Sequence, residues 1–236
     1  LQASPDVEIW RADGSFLIGK VRWLTALIQA FAREAWVLHV DADEFLVYDG
    51  MHEFGVQDLS RWLEAHGHLR LRAMMLDVYG EGSVRSTRYP SGDDITAAPW
   101  WFDSDTYRYR DDGGIRGGPR SRVLKRFGKR LDNALQKYPL FRADAASGLV
   151  SVHSPYPYHL NDGPLFGTLL HVKYTEEFVR HVDRAIKEGQ YYNGSHEYKL
   201  YREVLEAEPE FSFMYEGSVR YEGPTSLISA GVLLPV

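Results

Sequence analysis

Cysteine is absent from the 236 residues. That excludes disulfides, zinc–thiolate sites and thiol catalysis, and it fits a reducing, cytoplasmic setting. No apolar run approaches the roughly 18 residues of a membrane span, so any membrane association is expected to come through partners. A basic excess is missing too. The 27 Lys and Arg are outnumbered by 33 Asp and Glu, giving a net charge of −6, which argues against a nucleic-acid surface. Internal repeats and low-complexity tracts are also lacking. What remains is an ordinary globular composition, 44% hydrophobic and 25% charged, long enough for a single domain over 1–236 with a substantial core. The surplus is aromatic, with 15 Tyr and 6 Trp. Rings with polar tips often line sugar sites, although core packing absorbs most of them. The first residue is Leu, and a lost N-terminal segment is expected.

One stretch organises the rest: Trp36-Val37-Leu38-His39-Val40-Asp41-Ala42-Asp43-Glu44-Phe45-Leu46. A short apolar run without turn residues reads as a buried strand, and three carboxylates follow it within four positions. Charge at the edge of a core is costly without a cation, and no Lys or Arg lies nearby in sequence. A divalent metal answers that need. Oxygen ligands suit Mg²⁺ or Mn²⁺, and alternate residues of an extended segment place Asp41 and Asp43 on one side.

Around this stretch the pattern predicts a strand over 6–10, an amphipathic helix over 19–33 and a helix over 58–66. The first helix delivers the chain to the 36–40 strand, a succession that normally makes parallel neighbours with ligands at the strands' C-terminal ends. A core strand is expected over 69–79 and a long functional loop over 81–107. Strands are also expected over 123–127, 136–140, 148–153 and 165–174. Two helices, 175–188 and 195–207, close the chain as a C-terminal pair, the first with Thr175 as N-cap and Gly189 beyond its end.

Other candidates emerge from the residues themselves. His171 interrupts an apolar strand; such a residue is commonly a core histidine with one hydrogen bond, but a neutral imidazole also completes a site begun by carboxylates. His153 and His159 are of the same kind. Arg116, Arg120 and Arg122 stud a glycine-rich turn. They read either as a solvated basic turn or as guanidinium forks for phosphate, with the glycines allowing close backbone approach. Lys137 and Asp103 have no distinctive spacing and by themselves read as surface residues.

At Trp36–Leu46 the chain resembles the glycosyltransferases of the GT-A fold, specifically the bacterial family-2-like group with a His-Val-Asp-x-Asp-Glu-Phe-Leu signature. Further ordered matches run from about residue 20 to residue 205. Trp101-Phe102-Asp103 resembles that group's Tyr-Phe-Asp, and Gly117-Gly118-Pro119-Arg120-Ser121-Arg122 its Gly-Gly-x-Arg-x-Arg turn. Lys137-Tyr138-Pro139-Leu140 resembles Lys-Val-Pro-Leu, and Leu169 to Tyr174 resembles Leu-Leu-His-Phe-Lys-Phe. Ser195-His196-Glu197-Tyr198 precedes the last helix, as in that group.

The resemblance implies an α/β fold, a GT-A-like (Rossmann-like) mixed sheet flanked by helices, here lacking the family's first strand and its Asp-Asn-x-Ser-type loop. It implies transfer of a glycosyl unit from a nucleoside diphosphate sugar, UDP- or GDP-linked, to an acceptor hydroxyl of a carbohydrate or glycoconjugate, in bacterial polysaccharide assembly. Asp41, Asp43 and His171 would hold Mn²⁺ or Mg²⁺. Arg120, Arg122, Lys137 and Trp101 would bind the nucleotide-sugar, and Trp100, Trp101 and Tyr107 would stack on the acceptor. If configuration inverts, a carboxylate takes the acceptor's proton, with Asp103, Glu44 and Glu197 as candidates. The competing expectations are a metal-dependent phosphoester or nucleotide-sugar hydrolase and a non-catalytic carbohydrate-binding relic of the same fold.

Overall fold

The computed structural model describes residues 5–89, 92, 94, 95 and 98–236. In chain order these form α1 (Phe16–Phe31), β1 (Trp36–Leu38), β2 (Glu44–Val47), α2 (Val56–Ala65), β3 (Arg70–Tyr79), β4 (Trp101–Asp103), β5 (Tyr107–Tyr109), β6 (Ile115–Gly117), α3 (Gly118–Arg126), β7 (Gln136–Arg142), β8 (Gly148–Ser151), β9 (Ser154–Tyr156), β10 (Gly167–Tyr174), α4 (Glu176–Glu188), α5 (Tyr192–Ala207), β11 (Ser218–Arg220) and α6 (Pro224–Ser229). The protein is thus mixed α/β, with six α-helices among the described residues.

The most apolar stretches, β3 and β10, lie side by side at the centre of a sheet ordered β1-β7-β3-β10-β2. They run parallel, while β1–β7, β3–β7 and β2–β10 are antiparallel. A strand buried on both faces needs a near-continuous apolar run, which is what 71–79 supplies. One face is covered by α2, whose Leu59 and Leu63 pack on Leu71 and Leu140. The pair α4 and α5 closes the opposite end through Phe178, Val182, Tyr201 and Val204, against Tyr79 and Tyr174. Ile28 of α1 packs on Phe141 and Leu149.

Several expectations change in the structure. Residues 6–10 form no strand and are exposed. The run at Trp36 is a half-exposed edge strand, with Leu38 43% exposed; without a strand at 6–10 it has no parallel partner from the expected succession and pairs antiparallel with β7. The segment 123–127 falls largely in α3, where Pro119 in the first turn fixes a helical φ and starts the helix. Thr175 occupies the N-cap position of α4 without a side-chain capping bond, and Gly189 ends the helix in the left-handed conformation. Residues 90, 91, 93, 96 and 97 of the loop expected over 81–107 lie outside the described residues.

The glycine-rich turn has a backbone purpose. Gly117 has φ +102°, and a Cβ there would stand 2.2 Å from the Thr106 carbonyl oxygen. The close approach is therefore to β5's own entry, and it sets the direction in which α3 leaves. Gly117→Ala is expected to cost at least about 2 kcal/mol, read as a lower urea midpoint. An unchanged midpoint would contradict this packing.

Candidate functional site

Strand register assembles the site. Glu44 opposes His171 across the β2–β10 ladder, and His171 pairs with Asp77 across β3–β10. The Val172 amide donates to the Asp43 carbonyl at 2.9 Å, tying the acidic turn to β10. Two segments almost 130 residues apart thereby meet: His171 Nε2 lies 3.4 Å from Asp43 Oδ2. Behind the ring, His171 Nδ1 lies 2.7 Å from Asp77 Oδ1. Asp77 is buried and takes two bonds from Arg120, Nε to Oδ2 at 2.6 Å and Nη2 to Oδ1 at 2.5 Å. Arg120 Nη1 also lies 3.6 Å from Glu197, whose other oxygen accepts from Lys173 Nζ at 2.7 Å.

Asp43 and His171 face a cavity of about 720 Å3, lined also by Asp41, Lys20, Lys173, Glu177, Phe178, His181, Arg184, Tyr191, Tyr198 and Phe16. Asp41 differs from its neighbour two residues on. Lys20 Nζ donates to its Oδ1 at 2.6 Å and Lys137 Nζ reaches its Oδ2 at 3.4 Å. The cation partners that local sequence could not supply come from 21 residues before and 96 residues after. Lys137 is fully buried rather than a surface residue; it also donates to Glu44 Oε2 at 2.5 Å, and that oxygen accepts the Asp41 amide at 2.8 Å.

The other expected site residues lie elsewhere. Asp103 is fully buried, not on the surface, and accepts from Tyr79 (2.6 Å), Thr106 (2.7 Å) and both nitrogens of the Arg122 fork (2.8 and 2.9 Å). This cluster and Trp101 do not line the cavity, so Asp103, Arg122 and Trp101 are not brought to Asp43. Arg116 bonds Gln136 and the Ile115 carbonyl. Trp100 is buried with its Nε1 on the Ile95 carbonyl. Tyr107 packs on the core cluster around Phe102 and Leu135. Glu44 is buried beside Lys137, and Glu197 lines an adjoining cleft of about 260 Å3 together with Lys173, Tyr191 and Tyr198. His159 is exposed, and burial with the Lys137 charge pushes His153 down to about 4.

Asp77, Lys20, Lys173 and Arg184 were not singled out from the sequence. Asp77 carried a signal: it is the acid inside an apolar run, the same anomaly that marks His171.

The electrostatics follow from the geometry. Burial opposes ionisation of Asp43, but the His171 hydrogen bond and charge outweigh it and bring the carboxyl down to about 2. Burial likewise opposes protonation of His171, yet hydrogen bonds to Asp43 and Asp77, and the Asp77 charge, raise it to about 9. The folded value lies above the unfolded one. This stabilisation is therefore fully present below about 6.5 and is lost as pH rises through about 9. A shift of this size corresponds to about 3 kcal/mol. The melting temperature should fall between pH 7 and 10, and His171→Gln should flatten that fall; equal slopes in the two proteins would contradict the assignment.

The donor set suits a hard divalent cation. Asp77 holds Nδ1 and leaves Nε2 toward the Asp43 carboxylate, the carboxylate–histidine arrangement that orients a metal-binding imidazole. Among the described residues no group of three or more His, Asp and Glu is placed to hold an ion. Two protein donors accord with an ion that completes its shell with water and ligand phosphates. Both Asp41 oxygens are on lysines, so Asp43 and His171 are the fitting pair.

No protein-family model matches the chain, and neither the curated proteins nor the solved structures contain a match. No helix among the described residues is long and apolar enough to cross a membrane.

Proposed function

We propose that this chain transfers a glycosyl unit from a nucleoside diphosphate sugar to an acceptor hydroxyl, with Mn²⁺ or Mg²⁺ at Asp43 and His171. The observation that carries this reading is the 3.4 Å approach of Asp43 to His171 on the floor of a cavity lined by Lys20, Lys173 and Arg184. A bound divalent cation there would neutralise the charge that develops on the diphosphate leaving group. Lys20 and Lys173 add fixed positive charge beside it. Lys173 is held by Glu197 and lies 4.5 Å from the centre of the Tyr198 ring. Asp41 serves as the anchor of Lys20 and Lys137 rather than as a ligand. Asp103 and Glu44 are buried and locked in ion pairs with Arg122 and Lys137, so the acceptor's proton falls to a carboxylate lining the cavity. Glu177 fits, because its ion pair with Arg180 lies in solvent.

The test is incubation of the full chain with UDP- and GDP-sugars, with and without carbohydrate acceptors, in Mn²⁺ and in EDTA. Acceptor-dependent, EDTA-sensitive release of the nucleotide is the expected result. Release indifferent to acceptor identifies the hydrolase instead, and indifference to every nucleotide identifies a carbohydrate-binding module.

A further inference from the structure

Helix α4 lines the cavity with Glu177, Phe178, His181 and Arg184, of which Glu177, His181 and Arg184, four and seven positions apart, share a helix face. The cations on the cavity wall differ in one respect. Lys20 is paired with Asp41 and Lys173 with Glu197. Arg184 has no carboxylate within ion-pair distance among the described residues. Its Nη2 donates instead to His181 Nδ1 at 2.9 Å.

A guanidinium has only donors, so the imidazole must accept and is neutral. Burial, with the charges of Arg184 and Lys173, holds His181 below its ordinary value. The ring is fixed in turn: it stands edge-on to Tyr191 at 5.4 Å and to Tyr198 at 5.2 Å, and Tyr191 reaches Phe16 at 6.5 Å. The result is a solvent-exposed guanidinium turned toward His181, with donors to spare and no carboxylate partner among the described residues. The helix carboxylates do not supply one. Glu177 lies two turns back, about 10 Å along the axis, and pairs with Arg180. Glu188, one turn on, makes no ion pair with Arg184 among the described residues.

We propose that the end of the cavity at Arg184 takes an oxyanion of the sugar substrate, so that the sugar recognised there is acidic, bearing a carboxylate or a phosphate. A planar fork matches either group through two parallel bonds, and the aromatic wall of Tyr191 and Phe16 offers the apolar face that a sugar ring packs against. The proposal rests on the transferase reading for the sugar, and it adds the class of that sugar.

Titration calorimetry on the full chain in Mn²⁺ tests it. UDP-glucuronate is compared with UDP-glucose, and GDP-mannuronate with GDP-mannose, for a carboxylate on the donor. Glucose 6-phosphate is compared with glucose, in the presence of UDP or GDP, for a phosphate on the acceptor. The acidic member of at least one pair should bind about tenfold more tightly, and Arg184→Gln should erase that difference. Equal affinities within every pair overturn the proposal, as does a preference that survives Arg184→Gln, or no binding of any probe. A loss in Arg184→Gln that is as large for UDP or GDP alone also overturns it, because Arg184 would then read the nucleotide. If nucleotides bind with Mn²⁺ but acid and neutral sugars are equal, the transferase reading stands without this inference. If glucose 6-phosphate shows the Arg184-dependent preference while no nucleotide binds, the reverse holds.

Discussion

Asp43→Asn should lower metal-dependent turnover of a nucleotide-sugar by at least about a hundredfold while leaving the fold in place. The amide keeps the size of the side chain and can still face His171, but it removes the anion that balances both an imidazolium and a bound cation. The fold should survive because Asp43 is partly exposed and its backbone carbonyl, not its carboxylate, anchors the turn to β10. A second signature accompanies the loss. His171 is protonated up to about 9, so ligation through Nε2 at pH 7.5 must displace a proton. Mn²⁺ binding to the wild-type chain should therefore release close to one proton, read from the dependence of the binding enthalpy on buffer ionisation. Turnover in Asp43→Asn equal to wild type, or Mn²⁺ binding without proton release, would remove Asp43 and His171 from the proposed role.

The largest stability effect is expected at Asp77. Its carboxylate is fully buried, and burial opposes its ionisation, but the Arg120 charge and fork hold it well below the usual carboxylate range. Asp77→Ala strands a guanidinium that is only 5% exposed and leaves His171 Nδ1 without its partner. Removing one member of a buried pair costs about 3–5 kcal/mol. Glu197, 3.6 Å from Arg120, offsets part of that cost. Loss of the carboxylate behind the imidazole should also weaken Mn²⁺ binding by roughly 10- to 100-fold. Urea unfolding and metal titration measure the two effects separately. The double variant Asp77→Leu/Arg120→Met should recover most of the stability and none of the metal affinity, since an apolar pair can replace a buried ion pair but cannot orient His171. Recovery of both would show that Asp77 acts through the fold alone.

The acidic turn at 41–44 and the lone His171 were legible because each breaks an apolar run, and such breaks are rare unless something compensates the polar group. The same rule applied to β3 would have found Asp77. The partners were not legible, because register sets them: Lys137 meets Glu44 across 93 positions and Asp77 meets His171 across 94. Asp103 and Lys137 read as surface residues for that reason, each being buried only because a distant counter-charge meets it. Val123 and Leu124 suit strand and helix alike, and it is Pro119 in the first turn that commits this segment to α3. The parallel pair expected of 6–10 and 36–40 does not form because 6–10 makes no strand, and β1 pairs instead with β7, nearly 100 residues later, in antiparallel register.

In the proposed reaction Asp43 and His171 hold a cation that in turn holds a diphosphate. Calorimetric titration of the full chain with UDP, GDP and dTDP, with and without Mn²⁺, tests it most directly. At least one nucleotide should bind only when Mn²⁺ is present, and that binding should vanish in His171→Gln. Nucleotide affinity that is the same in EDTA, or that survives the loss of His171, would contradict it.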